Sequence, residues 1–425
     1  MFATLPAAPM RRLLLVAYYF PPDVAAGALR PNYLARYLPE FGWDVTVLTR
    51  PLDGESERDI AYARVVTAPV IGDGFERTVR DALVHRNGSA ASNGASPLRA
   101  ALRWTRQTLA FPDRASGWAP YAVKRGYSEA RVRPFDAVLS TATPATAHVV
   151  AAATALRFGL PWIADYRDPW SGNPGLREGP IRTGLQLAFE RSLLRRADTI
   201  TTISQAIALQ LERIHRRSVH VIPNASEPGD WAGLESIRPA RFQLCYTGSM
   251  HAEHRSPTLL FEALSSLRAQ GDPAADTRVR FFGPSNDWVV EDARRYNVAD
   301  LVEYCGVVPR SEAIAAQREA SDLLIFLNLD PSSAFELGSK IIEYTRTRRP
   351  ILAFGPPQSV MREHLARHSL GWFASDLAEA KCALRAAYDR FVSGDVELPA
   401  TEAGFEARDL ARAFASRLDE AVERR

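Results

Sequence analysis

Apolar residues along this chain fall into short continuous runs that alternate with longer stretches where they recur every three or four positions. The run 13–17, LLLVA, is wholly apolar, as a strand buried on both faces of a parallel sheet requires. After the Pro21–Pro22 break and a small-residue loop at 25–28, Leu29, Tyr33, Leu34, Tyr37 and Leu38 recur at helical spacing. Gly42 closes that helix and 45–48 reads as a second strand. This βαβ opening puts the loop that carries Gly27 at the carboxyl edge of a sheet, where open α/β folds bind ligands. Gly27 suits a close backbone approach, although the stretch lacks the GxGxxG spacing of a dinucleotide site.

The same alternation continues to residue 222, with strands predicted at 136–139, 161–164, 198–203 and 219–222 and a helix at 184–196; Ser204 is placed to cap the helix after it. Residues 72–126 are less regular: 87–96 reads as a loop, and 98–111 as a basic amphipathic segment that either rests on a membrane surface or packs on its own domain. His148, Asp165 and Asp168 fall at strand ends on the ligand edge, where they could meet sugar hydroxyls; equally, such residues cap helices and shape turns. Residues 223–228, PNASEP, form the predicted domain boundary.

Beyond it the pattern starts again, with strands at 242–246, 279–282, 302–304, 323–327 and 350–354 separated by helices at 256–269, up to Tyr296 and at 311–319. The prediction is an α/β protein of two doubly wound Rossmann-like domains facing each other across a cleft, spanning 1–228 and 229–401. A last amphipathic helix in 402–425, with Phe405, Leu410, Phe414 and Leu418 on one side, is expected to pack back on the first domain.

The most informative stretch is AFELGSKIIEYTRTRRPILAF, 334–354. Gly338 and Ser339 offer a turn and an N-cap for a helix starting at Lys340. Such a helix start has unpaired N–H groups and the positive end of a dipole, so with Lys340 it can cradle a phosphate, while Glu343 on the same face can hold sugar hydroxyls. The alternative is an i, i+3 ion pair on a solvated helix. Gly248 and Ser249, after the 242–246 strand, offer further N–H groups, and Arg255 a guanidinium able to clamp a diphosphate.

Composition narrows the class. At 425 residues, 46% apolar and 24% charged, the chain is that of a globular protein with two cores. Cys245, Cys305 and Cys382 are too scattered for a zinc site or disulfide framework. The run 13–19 is too short to span a bilayer, so the expected location is cytoplasmic. Up to Glu235 there are 28 Lys plus Arg against 22 Asp plus Glu, and 24 against 27 thereafter. The mildly basic first half suits an acidic partner or a membrane surface, with no sign of nucleic-acid binding.

In order and spacing, YYFPPDVAAGALR, LPWIADYRDPW, ADTITTISQAI with VHVIPNA, LCYTGSMHAEHR, VEYCGVVPRSEA, ASDLLIFL and SKIIEYTRTRRPILA resemble the family 4, or group 1, glycosyltransferases of the GT-B fold. The resemblance places the Gly27 loop near the transferred phosphate and the acceptor, with Arg30 and Asp168 on the acceptor side. Gly248, Ser249 and Arg255 match its phosphate-binding turn, and Ser339, Lys340 and Glu343 its phosphate and ribose contacts. The loop 305–308, with Val307, matches the segment whose backbone holds the base, and His148 matches a histidine facing the sugar. Many members carry two glutamates eight positions apart; here Phe335 stands eight before Glu343, and Glu336 is the nearest carboxylate.

The resemblance implies retaining transfer from a nucleotide diphosphate sugar, a UDP-sugar by default, to a glycan or lipid-linked acceptor in bacterial surface polysaccharide or glycoconjugate assembly. It implies no cofactor and no metal, with His148 and Glu336 as catalytic residues and peripheral contact with the inner face of the cell membrane. The rivals are a sugar-nucleotide epimerase of the same fold and a catalytically silent glycan-binding protein.

Overall fold

The computed structural model describes residues 10–23, 25–51, 58–71, 110–171, 179–227, 229, 238–250, 255–284, 287–327, 338–395 and 406–425. The predicted basic segment at 98–111 lies almost wholly outside them, as do the loop at 87–96 and Glu336.

The chain divides into two compact units, 1–224 with 407–425, and 225–406. Unit 1 holds β1 (Arg11–Ala17), β2 (Trp43–Thr49), β3 (Arg58–Ile60), β4 (Ala63–Thr67), β5 (Ala137–Ala142), β6 (Trp162–Tyr166), β7 (Thr199–Thr202) and β8 (His220–Val221) in one sheet of order 3-4-2-1-5-6-7-8. All neighbours are parallel except β3 and β4. Its helices are α1 (Leu29–Tyr37), α2 (Ala119–Val132), α3 (Thr146–Phe158), α4 (Pro180–Leu194) and α5 (Gln205–His215). Leu13 to Val16 are completely buried, which explains why β1 reads as an unbroken apolar run. The helix predicted at 184–196 starts earlier, at Pro180, because a proline at the first helical position gives up an N–H that has no partner there anyway.

Unit 2 is a fully parallel sheet of β9 (Gln243–Thr247), β10 (Arg278–Phe282), β11 (Val302–Gly306), β12 (Asp322–Phe326), β13 (Ile351–Phe354) and β14 (Gly371–Ala374), in the order 11-10-9-12-13-14. Between them run α6 (Thr258–Ala269), α7 (Asp287–Arg295), α8 (Arg310–Glu319), α9 (Gly338–Arg346), α10 (Val360–Arg367) and α11 (Leu377–Ser393). The last helix, α12 (Ala407–Glu423), returns to unit 1, where Leu410, Phe414 and Leu418 are buried and the helix lies along α1. Arg408 there donates to Glu40 at 2.6 Å.

Strand order reverses between β1 and β5 in unit 1 and between β9 and β12 in unit 2. At such a switch point the loops that leave the two neighbouring strands turn to opposite faces and open a crevice at the carboxyl edge. The Gly27 loop leaves β1 and the Gly248 turn leaves β9, so both glycines stand at switch points.

Candidate functional site

In unit 2 the site starts from two glycines. Gly248 (φ +135°) donates its N–H to Phe282 O at 2.7 Å, and Gly283 (φ +156°) donates to Gly306 O at 2.8 Å. Both conformations favour glycine, and a Cβ on Gly283 would strike the Gly248 carbonyl. The ends of β9, β10 and β11 are thereby drawn into one bare backbone surface.

Lys340 reaches this surface from the first turn of α9. Its Nζ lies against Gly248, where any Cβ would meet it, and 5.1 Å from the centre of the Tyr246 ring. Tyr246 in turn donates to Ser249 O at 2.8 Å and is hydrogen-bonded to the Arg255 side chain. Burial, then repulsion from Arg255, lowers the Lys340 pKa to about 8, while Glu343 works to raise it. Two cations therefore approach one glycine turn beside a helix start that itself disfavours positive charge. An anion placed there would relieve all three.

Glu343 is held from both sides. Gln317 donates to its Oε1 at 3.0 Å, and Arg310 Nη1 lies 3.6 Å from its Oε2. Gln317 also donates to Thr247 Oγ1 at 2.9 Å, and Thr247 N donates to the Tyr344 hydroxyl at 3.1 Å, so Glu343 is tied to the end of β9. Sequence reading missed Gln317; its signal is a glutamine three residues after Ile314 on the buried side of α8. Val307 is exposed just past β11, and Ser249 is exposed after Gly248. The expected cap at Ser339 is corrected: the described helix begins at Gly338, which puts Ser339 within its first turn, and the Ser339 side chain lies outside the described residues.

In unit 1 the carboxyl edge is organised by arginines. Arg30 is buried and donates from Nε and Nη2 to both oxygens of Asp165 at 2.9 Å, and to the carbonyls of Ile222 and Pro223. Asp165 also accepts from Thr141 at 2.9 Å and Thr201 at 2.8 Å. Burial works to raise its pKa, and the Arg30 charge with these hydrogen bonds outweighs it, leaving the carboxylate below its ordinary range. The hydroxyls on Asp165 thus belong to threonines of its own sheet rather than to a sugar, and Arg30, expected on the acceptor side, braces the sheet from within. Asp168 is exposed and accepts from Thr143 Oγ1 at 3.1 Å.

His148 sits in the first turn of α3 and is completely buried, with its Nδ1 2.8 Å from Ser140 Oγ and its ring 4.7 Å from that of Tyr166. Burial lowers its pKa to about 4, against the pull of Asp165 and Glu190, so the imidazole is neutral at pH 7. Sequence reading passed over Arg167, next to Asp168, whose guanidinium meets the Gly27 loop.

Residues 27–225 match the Glycosyl transferase 4-like domain. Among solved structures, sucrose-phosphate synthase from Thermosynechococcus elongatus aligns with a TM-score of 0.62 at 13% identity, covering 97% of this chain and 95% of that one. The glycosyltransferase WaaG, involved in lipopolysaccharide biosynthesis, aligns at 0.58 and 13%, covering 97% and 98%. Anabaena HepE in complex with UDP and glucose aligns at 0.56 and 13%, covering 97% and 98%. No curated protein matches the chain in sequence. The chain has the GT-B fold and resembles the group 1 glycosyltransferases.

Within this GT-B chain the structure brings Gly248, Ser249, Arg255, Lys340 and Glu343 to the β9 switch point of unit 2, with Val307 just past the end of β11, two strands along the sheet. Gly27, Arg30, His148 and Asp168 gather at the carboxyl edge of unit 1. Among the described residues no three His, Cys, Asp or Glu side chains form a metal-holding group, and no helix is long and apolar enough to cross a membrane.

Proposed function

We propose that the protein is a retaining glycosyltransferase that moves a hexosyl or related group from a nucleotide diphosphate sugar, a UDP-sugar by default, to a glycan or lipid-linked acceptor. The observation that carries this reading is the convergence of Lys340 and Arg255 on the Gly248 turn, with Glu343 one helical turn on. The cations and the α9 N-terminus would hold the diphosphate and stabilise the charge that develops on it as the glycosidic bond breaks. Glu343 would accept from the ribose hydroxyls, and the backbone around Val307 would hold the base. Because protein cations supply this charge, transfer would need neither a metal ion nor a cofactor.

Unit 1 would take the acceptor beside the Gly27 loop and Asp168. A buried, neutral His148 would act by orienting groups at this edge rather than as a charged acid. Glu336 remains the proposed carboxylate on the donor sugar. The fold and the basic first half also favour work in the cytoplasm against the inner face of a bacterial membrane, in surface polysaccharide assembly.

The test is thermal unfolding with UDP, GDP, ADP and TDP, followed by product analysis with the nucleotide sugar whose base stabilises. Transfer with anomeric retention that persists in EDTA is expected. A new sugar nucleotide formed without acceptor would instead make the protein an epimerase, and no stabilisation by any nucleotide would remove it from the transferases.

A further inference from the structure

Arg167 follows the last residue of β6, in YRDP, and is partly buried at the carboxyl edge of unit 1. Its guanidinium faces backbone carbonyls from two loops. Nη1 donates to Gly27 O at 2.6 Å, in the loop that leaves β1. Nε donates to Ala142 O at 2.9 Å and Nη2 to Thr143 O at 2.6 Å, where the chain leaves β5. These are the two strands between which the strand order reverses. A planar fork presents donors on three separate nitrogens in fixed directions, which suits carbonyls spread over two loops; the three N–H groups of an ammonium all radiate from one nitrogen.

The glycine is shaped to this clamp. A Cβ at Gly27 would lie 2.9 Å from Arg167 Nη1 and 3.0 Å from the Tyr19 ring, so any larger residue displaces the guanidinium or the loop. The φ of Gly27 is not in the left-handed region, so the need for glycine here is the approach of Arg167 rather than backbone strain. The second loop is held twice, since Thr143 also donates to Asp168. Nearby, α1 begins with Ala28 at its N-cap and no side-chain cap. Within the loop, Ala25 N donates to Asp23 Oδ1 and Ala28 N to Ala25 O, bonds that shape the loop itself, whereas Arg167 ties it to a second loop.

We infer that Arg167 is a positioning residue for the transfer reaction, clamping the Gly27 loop to the turn after β5 so that the two lips of the unit 1 switch point keep a fixed separation. This rests on the proposed role of the Gly27 loop beside the reacting groups. The clamp itself is a claim about the loops and is tested apart from turnover.

The experiment compares the parent chain with Arg167→Ala, Arg167→Lys and Gly27→Ala. Hydrogen exchange over 18–30 and 142–147 is expected to speed up at least tenfold in Arg167→Ala, while exchange in unit 2 and thermal stabilisation by the nucleotide stay as in the parent. With the donor and acceptor found for the parent, kcat is expected to fall 30-fold or more in Arg167→Ala with the donor KM within threefold. Low-millimolar guanidinium should restore several-fold of that loss, whereas ammonium should not, and Arg167→Lys should stay close to Arg167→Ala. Guanidinium should not rescue Gly27→Ala, whose arginine is present but displaced. Unchanged exchange in 18–30 overturns the clamp, and altered exchange with transfer within threefold of the parent overturns its role in the reaction. If the parent transfers from no nucleotide sugar, the proposed function fails, and the exchange result still decides the clamp.

Discussion

The ammonium of Lys340 rests against the backbone of Gly248, over the ring of Tyr246. The lysine thus fills the space that a side chain at 248 would take, and its charge is carried on bare backbone. Gly248→Ala should therefore act as a lysine variant. Its Cβ would be strained at φ +135° and would push Nζ away, so nucleotide affinity should drop about tenfold, or roughly 1.4 kcal/mol. Isothermal titration with the stabilising nucleotide checks this; affinity equal to the parent's would detach Lys340 from the diphosphate.

Nucleotide affinity should also depend on pH through Lys340. With its pKa lowered to about 8, the lysine loses its proton as pH rises from 7 to 9, and a bound diphosphate, favouring the charged form, would raise that pKa. Binding should weaken over this interval and take up protons near pH 8. Titrations in buffers of different ionisation enthalpy measure that uptake directly, and it should vanish in Lys340→Met.

The Arg30–Asp165 pair should be a stability determinant of unit 1. Both side chains are almost wholly buried, at 3% and 0% exposure. In Asp165→Asn the guanidinium keeps its charge and loses its partner, a cost of about 3–5 kcal/mol for one member of a buried pair. Chemical denaturation of unit 1 should show it; a loss under 1 kcal/mol would mean that the Ile222 and Pro223 carbonyls suffice.

Asp322, at the start of β12, should make unit 2 less stable as pH rises. It is buried, its Oδ1 lacks a hydrogen-bond partner, and burial raises its pKa to about 7 against the pull of Arg390 and Arg349. Between the ordinary carboxylate pKa and 7 the folded state binds more protons than the unfolded state, so stability falls with rising pH across that window. Asp322→Asn should raise the melting temperature at pH 8, by a stability gain of up to roughly 4 kcal/mol, and change little at pH 4. Equal shifts at both pH values would refute the assignment.

Much of the site can be read from residue order, because strand ends and glycines are local signals. Gly27, Gly248, Lys340 and Glu343 follow from runs, spacing and turn chemistry, and Ser204 does cap α5, accepting from Ile207 N. Asp165 and Arg30 were harder: an acid at a strand end invites a ligand role, and only the fold brings Arg30 from 135 positions away to neutralise it. Gln317 and Arg167 bind partners 26 and 140 positions off, contacts for which periodicity carries no signal.

What the chain order alone determined is the alternation of buried strand and amphipathic helix, repeated once, since each element's period records which of its faces is buried. Tertiary structure decided which strands are neighbours, and hence where the order reverses. Strand pairing is a contest between runs of nearly equal hydrophobicity, settled by packing across the whole sheet, so the positions of β1 beside β5 and β9 beside β12 exist only in the folded protein. From those two adjacencies come the crevice at each switch point, the lysine laid on Gly248 and the arginine laid on Gly27.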